Sequence, residues 1–300
     1  MAETMRHRYT NRGILLPGII AATALVILQG CGGGSELKPW HTEILVEECT
    51  EGKADEIRTF DDYLALEDRL FQQLDHEVYA QTETGPGYKL DRYSAGSAAD
   101  PRKHPPDWNR SFELKTDKPL GGVLLIHGMS DSPYSLRTLG KALNQHGYWV
   151  IGMRMPGHGT APSGLWHINR HDMAAAVRIG MTHLDKKVNG KRVHMIGYST
   201  GGPLALEFAL DALEEKTAPV PGSLILISPA IGIHPAASLA SFKDWLSNIP
   251  GLDGLAYTAI QPEFDPYKYN SFATNAADVV HGLTRSVARR VEQRAGTSPE

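Results

Sequence analysis

Cys31 and Cys49 are the only cysteines in the 300-residue sequence. Two cysteines exclude a disulfide framework and an all-cysteine zinc site. An excess of either charge is also missing. Thirty Lys and Arg against 34 Asp and Glu give a formal net charge of −4, with an isoelectric point near 6.4, so there is no basic footprint for nucleic acid and no such partner is expected. No H-E-x-x-H occurs among the 13 histidines, which argues against a helix-borne metal site. His167 and His171 are four apart, but "LWHINRHDM" reads as a helix start with Asp172 in its first turn. Internal repeats are missing. The apolar run at residues 13–28 falls short of the roughly 20 residues that span a bilayer comfortably. What remains is a chain 41% hydrophobic and 21% charged, ordinary for a globular protein and long enough for a sizeable core.

The first segment has a processing pattern. Arg6, Arg8 and Arg12 precede the apolar run, the layout of a secretory signal peptide. Leu28-Gln29-Gly30-Cys31 then resembles the lipobox of bacterial lipoproteins. The resemblance implies cleavage before Cys31, lipidation of that cysteine, and a membrane-anchored lipoprotein on the periplasmic side or at the outer membrane of a bacterium. Gly32 after the cysteine favours the outer membrane on the same analogy. The alternative is an uncleaved anchor helix. Either way the protein is expected on a membrane, on the outer side of the inner membrane, and Cys49 then has no partner and is expected as a free thiol.

The expected organisation is a signal peptide at 1–30, a tether and helical extension at 31–107, a core at 108–233 and a helical region at 234–300. Within the extension, Phe60, Tyr63, Leu64, Leu66, Leu70, Phe71 and Leu74 recur at helical spacing and predict an amphipathic helix. Residues 81–108 carry Gly, Pro and Ser throughout and read as surface loop. Residues 110–116 alternate like an edge strand. From Leu120 on, short apolar runs ("LGGVLLIHG", "YWVIGMRM", "KRVHMIGYS", "GSLILISPA") alternate with helical patterns ending at Gly147 and Gly190. That alternation predicts an α/β domain with a mostly parallel sheet flanked by helices.

Gly197-Tyr198-Ser199-Thr200-Gly201 is a G-x-S-x-G placed where a strand gives way to a helix. In that context the serine sits on a strained turn with its hydroxyl above the sheet, and only small residues fit at Gly197 and Gly201. The backbone N–H of Thr200 faces the same space at a positive helix end, which suits an oxyanion. Met129, after the first buried strand, is placed to supply the second donor. A nucleotide-binding turn is the competing reading, but it requires G-x-G-x-x-G and an acidic residue further on, and neither follows. His127 and His158, beside these loops, read as structural.

"LLIHGMSDSPYSL", "MRMPGHG" and "IGYSTGG", in this order, resemble the α/β-hydrolase superfamily, in its monoacylglycerol lipase, carboxylesterase and serine aminopeptidase branch. The resemblance spans about residues 118–232. It implies an α/β-hydrolase fold with a helical lid inserted after the fourth parallel strand, and no cofactor. It implies a serine hydrolase: Ser199 attacks a carbonyl, Met129 and Thr200 hold the oxyanion, and a histidine oriented by an aspartate takes the proton. The apolar set Trp245, Leu246, Ile249, Leu252, Leu255 and Ile260 suits a lid over an acyl chain. No H-G-G-G loop is present, so the hormone-sensitive-lipase type is not expected. The favoured substrate is a small-molecule carboxylic ester. Peptide, thioester or C–C cleavage and a non-catalytic lipid-anchored binding protein are the alternatives. The family's last core strands, with their aspartate and histidine, have no counterpart before Glu300. Three readings follow: the partners lie beyond that residue; the site is rewired through Asp253, Asp265, Asp278 or His281; or a short form binds without turnover.

Overall fold

The apolar runs pair into a five-stranded sheet. A computed structural model describes residues 36–53, 56–215, 219–231 and 256–296; the signal segment, Cys31 and residues 234–255 of the expected lid, with Trp245 and Asp253, lie outside them. The strands are β1 (Phe112–Leu114), β2 (Gly121–Ile126), β3 (Tyr148–Met153), β4 (Val193–Tyr198) and β5 (Leu224–Ile227), in the order β1-β3-β2-β4-β5. β1 is the antiparallel edge and the remaining pairs are parallel. β2 is buried at all six positions, as expected of a central parallel strand covered on both faces.

Helices α2 (Arg137–Gln145), α3 (Arg170–Lys187) and α4 (Gly201–Glu215) follow β2, β3 and β4. Alternate strand residues point to opposite faces. Val123, Leu125, Val150 and Ile196 therefore pack with Leu139 and Leu143 of α2. Leu124, Ile126, Ile151, Met153 and Met195 pack with α3 and α4. α3 starts where the sequence expected. The Asn169 side chain accepts from His171 N and Asp172 N, and Asp172 accepts Asn169 N at 2.8 Å, a capping box. β5 is less enclosed: Ile225 and Ile227 remain 49% and 36% exposed. From Ala256 on, β6 (Tyr257–Ala259) pairs antiparallel with β7 (Phe272–Ala273), and α5 (Thr274–Ala295) packs on α4 and α3. Among the described residues no helix is long and apolar enough to cross a membrane.

The predicted amphipathic helix is α1 (Phe60–Glu77), capped by Thr59 and Asp62. The stretch expected as surface loop is corrected. It is irregular, but Arg92, Tyr93 and Asp100 are buried. Arg92 donates to Gly159 O at 2.9 Å and Tyr93 Oη to Thr160 O at 2.9 Å. These polar side chains are buried because the loop after β3 leaves carbonyls that need donors.

A fully buried guanidinium joins the same loop to the N-terminal segment. Arg154 donates to both Glu48 oxygens at 2.9 and 3.0 Å, to Glu67 Oε1 at 2.9 Å and to His158 O at 3.1 Å. Glu48 also accepts Gly157 N at 2.8 Å. Burial pushes the Glu48 carboxyl up, but the Arg154 charge and these hydrogen bonds outweigh it and hold it below the usual range. Arg154 itself stays charged: burial opposes the charge, and the Glu48 carboxylate more than restores it.

Candidate active site

Ser199 leaves the C-terminal end of β4 with φ of +52°, left-handed backbone that costs a non-glycine residue about 1–3 kcal/mol. Three hydrogen bonds hold it there: its N–H donates to Ile227 O, and its carbonyl accepts from Gly202 N and Ala230 N, each at 3.0 Å. The flanking glycines are sterically required. A Cβ on Gly197 would lie 2.1 Å from Gly201 O, and one on Gly201 would lie 2.2 Å from Ile126 O. The chain after β2 presses on the serine from the other side, since a Cβ on Gly128 would meet Ser199 Cβ at 3.0 Å.

Ser199, Met129 and Thr200 line one cavity of about 490 Å³, together with Ser130, Ala230, Lys268, Tyr269, Asn270, Phe272, Ala277 and Val280. Among the described residues, neither the Met129 nor the Thr200 backbone N–H donates to a protein acceptor. Unmade donors are costly, and two of them beside a serine hydroxyl are where a substrate oxygen would supply the acceptor.

The loop carrying Met129 is fixed from three sides. Ser130 has φ of +60°, and its carbonyl accepts Tyr269 N at 2.8 Å. Tyr269 Oη in turn donates to Gly157 O at 3.0 Å and accepts Thr160 N at 2.8 Å. His127 completes the brace: Met155 N donates to Nε2 at 3.0 Å, which leaves Nδ1–H to donate to Gly128 O at 2.9 Å. Burial lowers this imidazole to about 4, so it is neutral at physiological pH, with both nitrogens occupied. His158 Nδ1 bonds Pro156 O at 2.8 Å, and burial, followed by electrostatic competition with the His127 imidazole for a proton, lowers it to about 3. Both histidines have the structural placement expected of them.

No hydrogen bond joins Ser199 Oγ to a histidine or carboxylate among the described residues. His281 sits half-buried on α5, outside the described cavity lining, and its Nδ1 has no hydrogen-bond partner among the described residues. Asp265 shapes a turn, accepting Tyr267 N at 2.8 Å and Lys268 N at 3.1 Å. Asp278 is also on α5. No three His, Cys, Asp or Glu side chains converge as metal ligands among the described residues. Cys49 is a buried free thiol whose pKa burial raises to about 12.

The sequence did not point to Lys268, Tyr269, Asn270 or Phe272. They lie in a stretch without helical or strand periodicity, and their approach to the serine depends on tertiary contacts that leave no local pattern.

Comparison with known proteins shows what the chain is similar to. A family model described as serine aminopeptidase, S33, matches residues 117–265. A thermostable monoacylglycerol lipase of Bacillus sp. (strain H-257) is 36% identical over 88 residues, 29% of this chain and 34% of the relative. A carboxylesterase of Bacillus subtilis (strain 168) is 30% identical over 124 residues, 39% of this chain and 48% of the relative. The chain thus spans between a third and a half of the length of these relatives. A solved monoacylglycerol lipase from Paleococcus ferrophilus is 18% identical, with a TM-score of 0.44 over 60% of this chain and 71% of that one.

Proposed function

Because the chain belongs to the α/β-hydrolase superfamily, we propose that it is a serine hydrolase that cleaves carboxylic esters through an acyl-enzyme on Ser199. The observation that carries the reading is the left-handed Ser199 sharing a cavity with Met129 and Thr200, whose N–H groups are unengaged among the described residues. Attack by Oγ on an ester carbonyl places negative charge on its oxygen, and the two N–H groups are the donors that meet it. The alcohol then leaves, and water hydrolyses the acyl-serine. Both steps need a general base, and none of the described histidines hydrogen-bonds the serine. The wall of Phe272, Ala277 and Val280 is apolar and suits an acyl chain.

The test is hydrolysis of p-nitrophenyl esters of graded chain length by the native protein and by Ser199→Ala. The expected fall in kcat/KM is at least about 10³-fold for every ester cleaved. Equal rates in the two proteins would remove Ser199 from the mechanism.

The lipobox pattern supports attachment to a bacterial membrane through lipidated Cys31. Palmitate fed to the producing cells should label the protein and spare Cys31→Ala; label retained by that variant would place the lipid elsewhere.

A further inference from the structure

The cavity at Ser199 has one charged side chain in its described lining, Lys268; its other walls are apolar or neutral. The same lysine also lines a second cavity of about 510 Å³, together with Asp131, Tyr134, Arg137, Tyr198, Asp265 and Tyr267 among others. Consecutive residues of the serine turn, Tyr198 and Ser199, line one cavity each, and Lys268 lines both. Asp131 and Asp265 offset Arg137 and Lys268 in the second cavity, whereas the described lining of the first holds no acidic side chain.

The lysine stands on fixed backbone. Its N–H and that of Tyr267 both donate to Asp265 Oδ1. The Tyr267 ring stacks on Tyr134 with centroids 3.6 Å apart, and Arg137 covers the other face of Tyr134 at 3.4 Å. On the other side, Tyr269 is tied to Ser130 and Gly157. Its neighbours hold the main chain while the long stem leaves the head free. Among the described residues the Lys268 ammonium makes no hydrogen bond or ion pair, although its charge reaches the buried Asp131 carboxyl.

We propose that Lys268 is a specificity-determining residue that selects esters carrying an anionic oxygen group, carboxylate or phosphate, on the alcohol side of the scissile bond. The inference rests on the serine-hydrolase reading. The apolar wall takes the acyl chain, so the alcohol half points to the lysine that lines both cavities. A negative group there forms a charge-assisted hydrogen bond with an ammonium that makes no hydrogen bond or ion pair among the described residues. A neutral alcohol gains nothing equivalent, and a cationic one is repelled.

The test uses matched butanoate esters: 4-(butanoyloxy)benzoate, 4-(butanoyloxy)phenyl phosphate, and the neutral methyl 4-(butanoyloxy)benzoate. The native protein, Lys268→Met and Lys268→Glu are compared by the ratio of kcat/KM for each anionic ester to that for the neutral one. The expected ratio falls roughly tenfold in Lys268→Met, mainly through KM, and further in Lys268→Glu. The preference should also weaken in high salt. A loss confined to the carboxylate or the phosphate ester identifies which anion the site takes. Ratios unchanged in both variants, or anionic and neutral esters slowed in equal proportion, would overturn the proposal. In either case fluorophosphonate labelling of Ser199 shows that the serine still reacts. Absence of labelling in the native protein would instead overturn the serine-hydrolase reading and this inference with it.

Discussion

Arg154→Met should lower unfolding stability by about 3–5 kcal/mol, because it removes one partner from a buried ionic cluster and leaves the others. Arg154 is fully buried and Glu67 is 1% exposed. Without the guanidinium, Glu48 keeps only its bonds from Gly157 N and Cys49 N, and Glu67 those from Ser111 N and Oγ. Neutralising all three in Arg154→Met/Glu48→Gln/Glu67→Gln should recover part of the loss, since the groups share one network and their effects are not additive. Urea unfolding midpoints at neutral pH measure both. A change below about 1 kcal/mol for the single variant would mean that the cluster contributes little. The site should suffer as well, because Arg154 and Glu48 hold His158 O and Gly157 N, and Tyr269 links that loop to Ser130.

Gly197→Ala should have a comparable effect from one added carbon. The new Cβ would stand 2.1 Å from Gly201 O and 2.6 Å from Gly202 N, backbone atoms that cannot yield without unwinding the start of α4. A loss of at least about 3 kcal/mol is expected, the upper end of what overpacking costs, and Ser199 should lose its reactivity even in any fraction that folds. Gly282→Ala is the control. That position lies within α5 with nothing inside 4 Å of its Cβ, so the change should stabilise the helix by about 0.5–1 kcal/mol. Thermal unfolding of the two variants separates a steric requirement at the turn from a general sensitivity of glycines.

Much of this fold was legible because its signals are local. β2 and β3 announced themselves as apolar runs too short for helices, α1 and α3 by period and caps, and the serine turn by two glycines that the backbone contacts require. The buried arginines were not legible. Arg154 hydrogen-bonds carboxylates 87 and 106 residues away, and a lone charge after a strand has no period to reveal it. Arg92 and Tyr93 were hidden for a related reason: Gly, Pro and Ser mark irregular backbone, but they do not say whether that backbone lies on the surface or supplies donors to another loop. Lys268 and Tyr269 approach Ser199 through contacts across the chain, such as the 2.8 Å bond from Tyr269 N to Ser130 O, and no spacing rule foretells those.

The most direct measurement is the position at which a fluorophosphonate attaches to the native protein, read by peptide mass spectrometry. The account predicts a single adduct on the peptide that contains Ser199, absent in Ser199→Ala and blocked by a competing ester. An adduct on another residue, or none on the folded protein, would contradict the claim that this turn presents a nucleophile.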